Sequence, residues 1–308
     1  MVTGKEEVAE GVVSLTLADP DGARLPDWTP GAHIDLVLPD GTVRQYSLCG
    51  DRWDAHTYRI AVLREPDGRG GSAYVHDRLR VGDRVGIGGP RNNFPLAPSN
   101  RYLFIAGGIG ITPLLPMLHQ AELLGVEWQL LYGGRTRSSM AFRDELLASY
   151  GERVHIVPQD ERGLLDLDAW LGPPPEGAKV YCCGPAPLLA AVAQSGAGLG
   201  PHALRTERFS AAERGAPVRD TAFEVELRRS ARTVRVTPDV SVLEAVRGAG
   251  VEVVSSCEEG TCGTCLTPVL DGEPDHMDSL LSDHQRAAHD CMLVCVSRSC
   301  GDRLVLDL

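Results

Sequence analysis

Much that would mark a membrane or nucleic-acid-binding protein is missing from these 308 residues. No apolar run approaches the roughly 20 residues of a membrane span. The N-terminal "MVTGKEEVAEGVV" lacks the apolar core of a signal peptide. Basic residues are in deficit, 30 Lys and Arg against 42 Asp and Glu, for a net charge of −12. Binding a nucleic-acid backbone needs clustered Lys and Arg, so the charge argues against that partner. No internal repeat or long low-complexity tract appears. The expectation is a monomeric cytoplasmic protein, off the membrane, whose nine cysteines stay reduced as ligands or free thiols. Its length allows two or three domains, and its 43% hydrophobic and 23% charged residues suit a globular chain.

Three zones follow one another. Short alternating runs, "VVSLTL", "HIDLVL", "VRQYSL", "YRIAVL" and "DRVGIG", fill the first hundred residues, with "PDG" turns at 39–41 and 66–68. This spacing predicts a small antiparallel β-barrel or sandwich. From Arg101 strands and helices alternate: "YLFIAGG", "TPLLPMLHQAELL", "WQLLYGG", "MAFRDELLASY", "RVHIVPQ" and "KVYCCG". Such alternation predicts a parallel sheet with helical crossovers. Around "FSAAERGAPVRD" the pattern lapses into a linker, and a small α+β domain follows.

In that last domain "SCEEGTCGTCLTP" spaces its cysteines C-x4-C-x2-C, from Cys257 through Cys262 to Cys265, with 29 residues between Cys265 and Cys295. This is the plant-type ferredoxin pattern for a 2Fe–2S cluster. Two sulfide-bridged irons need four thiolates and inward-facing amides, and Gly260 and Gly263 give the loop that freedom. A structural zinc site is the alternative, although zinc sites usually read as two separated C-x2-C hairpins. Cys291 and Cys300 flank Cys295, and only the spacing favours Cys295 as fourth ligand.

A one-electron carrier needs a donor. "FIAGGIGITPLLPML" follows a strand and opens a helix. Gly107, Gly108 and Gly110 allow a tight turn, Thr112 suits an N-cap, and Pro113 suits the first helical position. Amides and dipole there favour a phosphate, though this is not the G-x-G-x-x-G fingerprint and a plain strand–turn–helix reads the same. "YGGRTRSSMAF" ends the next strand and places Arg135, Arg137 and Ser138 for an adenosine ribose or its 2′-phosphate; the alternative is a solvated loop. "VYCCGPAPLL" brings Cys183 to a third strand end, where a small core thiol is the alternative. In the barrel, "RQYSL" offers Arg44 to a phosphate, the face of Tyr46 to an isoalloxazine and Ser47 to the ring edge. "DGRGGSAYVHDRL" adds a phosphate nest at Gly70, Gly71 and Ser72, or else a surface turn.

"RQYSL", "GRGGS", "GPRNNF", "AGGIGITP", "YCCGP" and "CEEGTCGTC" stand in an order that resembles the phthalate dioxygenase reductase family along essentially the whole chain. The order is also similar to the reductase domain of some self-sufficient haem-thiolate monooxygenases. The resemblance implies a multidomain chain: an FMN-binding antiparallel barrel (1–99), an NAD(P)-binding α/β domain of ferredoxin–NADP reductase type (100–209), a linker (210–221) and a β-grasp ferredoxin domain (222–308). It puts Arg44, Tyr46 and Ser47 on the flavin, and Gly70, Gly71 and Ser72 on its phosphate. Gly108, Thr112 and Cys183 would line the nicotinamide path. Phe209 of "TERFSA" would cover the flavin, or else pack a domain junction. The implied activity takes hydride from NAD(P)H onto FMN and passes single electrons through the cluster to an oxygenase, of Rieske non-haem or haem-thiolate type. No haem-binding domain precedes residue 1, so the oxygenase is expected as a separate protein or a part removed from this one. Two alternatives remain: a diaphorase-like reductase of small acceptors, and a non-catalytic iron–sulfur sensing or interaction protein.

Overall fold

The computed structural model describes all residues except 67, 173–176, 201, 213 and 214. The middle of the second "PDG" turn and two positions of the expected linker therefore lie outside the described residues. The chain divides into two compact units, Met1–Arg208 and Phe209–Leu308.

The first unit begins with two three-stranded antiparallel sheets. Strands β1 (Val2–Ala9), β2 (Val12–Ala18) and β5 (Thr57–Leu63) form one; β4 (Val43–Ser47), β3 (His33–Val37) and β6 (Gly86–Arg91) form the other. A bridge between Leu48 and Ile60 ties the sheets together. Leu15, Leu17, Ile34, Leu36 and Ile60 recur at period two and are fully buried in one core, with Leu48 just past β4, while Val12 and Ala61 of β2 and β5 are buried in a second. Strand β1 has no such alternation, since only Val2 is buried along it; backbone pairing to β2 holds it at the edge. Helix α1 (Gly71–Asp77) follows β5.

The unit continues into a parallel sheet. In chain order come β7 (Arg101–Gly107), α2 (Leu115–Leu123), β8 (Glu127–Gly134), α3 (Arg143–Tyr150), β9 (Val154–Pro158), α4 (Gln159–Arg162), α5 (Leu167–Leu171), β10 (Lys179–Cys183), α6 (Ala186–Ser195) and β11 (Leu204–Glu207). The spatial order is β11-β10-β7-β8-β9. After β7 the chain winds to one side, and after β9 it returns to the other, so the order reverses between β7 and β10. Such a switch point opens a crevice at the carboxyl ends of the strands. Phe104 meets Trp128 edge-on and Tyr181 at a tilt, in a core shared with Val12, Cys49 and Ala61 of the antiparallel half.

Thr112 is not the N-cap expected of it. A 3-10 turn, Gly108–Ile111, intervenes, and α2 starts three residues later with Leu114 at its cap. The Thr112 hydroxyl donates to the Ile109 carbonyl at 2.9 Å, and Pro113 lies before the helix. Glycine freedom at Gly108, with φ 55, lets the chain turn back before it can enter an α-helix.

The second unit is a mixed sheet ordered β13-β12-β18-β14-β16. Its strands are β12 (Phe223–Leu227), β13 (Arg232–Val236), β14 (Leu266–Asp271), β16 (Cys291–Leu293) and β18 (Arg303–Leu306), with a short pair β15 (Pro274–Asp275) and β17 (Arg298–Ser299). First strand β12 and last strand β18 run parallel in the middle, the β-grasp arrangement. Helix α7 (Val242–Gly248) lays Leu243 and Val246 on the sheet. Ser241 caps it in a reciprocal pair with Glu244. A last helix, α8 (Asp283–Ala288), leads into β16.

Candidate functional site

In the second unit the cysteine loop joins α7 to β14. Glu258, Gly260 and Gly263 all take positive φ, 54°, 76° and 76°, which turns successive amides toward the sulfurs. The Glu259 amide donates to Cys257 Sγ and the Thr264 amide to Cys262 Sγ, each at 3.4 Å. A Cβ on Gly260 would lie 2.6 Å from Val296 Cγ2 and 3.1 Å from the Asp278 Cα. Gly260 therefore lets the loop close on the segment that carries Cys295. The Gly260 carbonyl accepts from the Ser279 amide at 2.9 Å.

Cys257 shares a hydrogen bond with Cys262, and Cys265 with Cys295. Those bonds hold Cys257 down to about 4 and lower Cys265, while their partners are pushed up. Among the described residues no three His, Cys, Asp or Glu side chains gather where one metal ion would sit. The sulfurs stand as two pairs, which fits the two irons of a 2Fe–2S group better than a single zinc. Cys291 instead faces Pro268 across β16 and β14, and Cys300 follows β17, its amide bonded to Glu273.

In the first unit the crevice between β7 and β10 is built by close backbone approach. A Cβ on Gly110 would lie 2.2 Å from the Cys183 carbonyl oxygen, and one on Gly184 would lie 3.0 Å from the Gly107 Cα. Nothing stands within 4 Å of the same position on Gly108, so that residue leaves backbone open to a ligand. Cys183 is fully buried, and burial raises its pKa well above the usual thiol range.

Sequence reasoning missed Glu207. Strand β11 pairs in parallel with β10 and sets Glu207 opposite Cys183; the thiol points at Glu207 Oε2, 4.0 Å away. Enclosure of the carboxyl pushes its pKa up to about 8. An acid ending the strand beside the switch point was the available signal, but it needs the strand pairing to be read. Phe209, two residues on, is 46% exposed and opens the second unit.

At the barrel, β4 and α1 bring Arg44 onto the glycine turn. A Cβ on Gly71 would lie 2.7 Å from Arg44 Cγ, and Arg44 Nη2 donates to the Arg69 carbonyl at 2.8 Å. Gly70 has φ 82, and the Ser72 hydroxyl accepts from the Glu65 amide. A guanidinium beside a positive-φ glycine turn suits a phosphate. Tyr46 and Ser47 lie further along β4; burial lifts the Tyr46 phenol to about 12, so it stays neutral. Beyond β8, Arg137 is gripped by Glu161 and the Ser138 hydroxyl donates to Glu10 at 2.7 Å, while Arg135 is exposed.

Residues 225–300 match the family model of a 2Fe–2S iron–sulfur cluster binding domain, and residues 104–194 that of an oxidoreductase NAD-binding domain. Phenoxybenzoate dioxygenase subunit beta of Ectopseudomonas oleovorans is 46% identical over 302 residues, which cover 97% of this chain and 94% of that protein. The solved structure of a phthalate dioxygenase reductase, described as modular for electron transfer from pyridine nucleotides to 2Fe–2S, superposes with TM-score 0.74 at 37% identity. It covers 100% of this chain and 96% of that one. An intact type IV self-sufficient cytochrome P450 monooxygenase superposes with TM-score 0.93 at 44% identity; this chain spans 40% of its length. No helix among the described residues is long and apolar enough to cross a membrane.

Proposed function

This chain belongs to the phthalate dioxygenase reductase family and is an oxidoreductase; from that premise we propose that it moves electrons from a nicotinamide nucleotide, through FMN and a 2Fe–2S cluster, to an oxygenase. Bound flavin supplies the conversion between a hydride donor and a one-electron acceptor. The chain supplies placement. Arg44, with Gly70, Gly71 and Ser72, holds the flavin phosphate, and Tyr46 and Ser47 border its ring. The nicotinamide enters between Gly107–Gly110 and Cys183, where Glu207 faces the thiol. Cys257, Cys262, Cys265 and Cys295 would supply the four thiolates that hold the cluster. A barrel without an evident adenine-binding insertion supports FMN over FAD.

The observation that carries this reading is the switch-point crevice, with Gly110 seated on the Cys183 carbonyl and Glu207 beside the thiol. Anaerobic mixing of purified protein with NADH or NADPH tests it. Bleaching of the flavin band followed by the cluster band supports the relay. Persistent absorbance with either nucleotide contradicts it and favours the sensing protein. The acceptor is proposed to be an oxygenase of Rieske non-haem or haem-thiolate type, and the genes beside this one offer the first candidates to assay.

A further inference from the structure

The loop after β8 lies next to the switch-point crevice, and in doubly wound sheets the end of this second strand reads the adenosine ribose. An acid there accepts from a free 2′-hydroxyl; an available arginine holds a 2′-phosphate. Here the arginine is present but engaged. Arg137 donates through Nε to Glu161 Oε1 at 2.7 Å and through Nη2 to Oε2 at 2.9 Å, a two-pronged pair across 24 residues of sequence. Both side chains are about half exposed, so the pair stands where a ligand can reach it.

Of the other cations nearby, Arg162 of α4 donates to the Ile156 carbonyl and Arg135 is exposed. The amide of Asp160 donates to the Arg135 carbonyl, which lays α4 and its two acids along the loop. Arg143 donates to the Arg137 carbonyl and is itself paired with Asp144. The Ser138 hydroxyl, a natural phosphate donor, is turned away to Glu10. A dianionic 2′-phosphate entering this loop meets the Glu161 carboxylate and finds its strongest candidate donor occupied. A 2′-hydroxyl meets an acceptor.

We propose that the Arg137–Glu161 ion pair is the specificity determinant of the nucleotide site, selecting NADH over NADPH. This rests on the reading of the crevice as the nucleotide site. Glu161 acts in two ways: it neutralises Arg137 and it repels the extra phosphate. Its removal frees a guanidinium already placed at the strand end.

Binding of NAD+ and NADP+ to the oxidised holoprotein, measured by calorimetry, tests the proposal without turnover. The wild-type chain is expected to bind NAD+ the more tightly. Glu161→Gln is expected to tighten NADP+ about tenfold, the order of one added charge-assisted contact, and to move NAD+ less than twofold. Adding Arg137→Gln to that variant is expected to abolish the gain. An unchanged NADP+ to NAD+ ratio in Glu161→Gln, or a wild-type preference for NADP+, overturns the assignment. Failure of the wild type to bind either nucleotide overturns the site reading itself, and the selectivity with it. An unchanged thermal midpoint, expected for an exposed pair, shows that the variants remain folded.

Discussion

The Cys183 sulfur lies 4.0 Å from Oε2 of Glu207, thiol pointed at carboxyl, beside the point where the parallel sheet reverses its winding. Both groups are neutral near pH 7, because burial raises each pKa. Glu207 is the one that titrates within reach, at about 8 against an ordinary 4.5. Its native pKa is raised, so between those two values the folded chain binds the proton that the unfolded chain has lost. Stability therefore falls as pH rises through that window and levels off above it. Hydride loss leaves a positive nicotinamide ring, which an ionised Glu207 would stabilise. Flavin reduction by NADH, followed by stopped flow, is expected to speed up through an inflection near pH 8. The Glu207→Gln variant should show a flat profile there. An inflection that survives the substitution assigns it elsewhere.

The proposed flavin cradle rests on α1 as a rigid piece. Lys5 Nζ donates to the carbonyls of Val75, His76 and Leu79 at 2.7, 2.8 and 2.9 Å, and Arg64 pairs with Asp77. The carbonyls at the helix end are thereby satisfied, and the Gly70–Ser72 turn at the other end is kept against Arg44. Replacing Arg44 with Met is expected to weaken FMN binding about 10- to 100-fold, the loss of one hydrogen-bonded charge at roughly 1.5–3 kcal/mol. Riboflavin, which has no phosphate, should bind both proteins alike. Fluorescence titration of the two flavins makes the comparison; equal losses for both would show that Arg44 does not act on the phosphate.

From Phe223 to Leu308 there are 15 acidic residues against 8 Arg and no Lys, a net of −7. Several of those arginines are already matched: Arg228 and Arg303 by Glu226, Arg229 by Asp307, Arg247 by Glu258. The remaining negative field would steer a basic docking face. Screening shortens from about 10 Å at 0.1 M to about 3 Å at 1 M salt. Electron transfer to the cognate oxygenase should therefore slow as salt rises, while flavin reduction by NADH changes far less. A partner rate indifferent to salt would remove the steering.

How much of this could be read beforehand differs from residue to residue. The apolar runs of β7, β8 and β10 announce buried parallel strands, and the cysteine spacing announces its chemistry because ligation fixes it locally. Strand β1 shows no periodicity, since Glu6 and Glu7 stay exposed, Lys5 reaches over to α1, and only pairing with β2 makes it a strand. Thr112 has an ideal cap composition, but close packing of Gly110 on Cys183 winds the preceding residues into a 3-10 turn and moves the helix start. Glu207 and Cys183 are 24 residues apart and meet only through strand register. Arg137 reads as an unpaired cation until α4 brings Glu161 onto it. Local chemistry was legible; pairings made by the sheet were not.

The exit of the relay is the most exposed claim. Cys295, not Cys291 or Cys300, is placed against Cys265. Electron paramagnetic resonance of anaerobic, NADH-reduced protein tests it most directly. Wild type, Cys291→Ser and Cys300→Ser should each show the signal of a reduced 2Fe–2S cluster after the flavin bleaches, and Cys295→Ser should lose or grossly alter it. A wild-type protein that bleaches its flavin yet shows no such signal, or a Cys295→Ser protein with an unaltered one, would contradict the account.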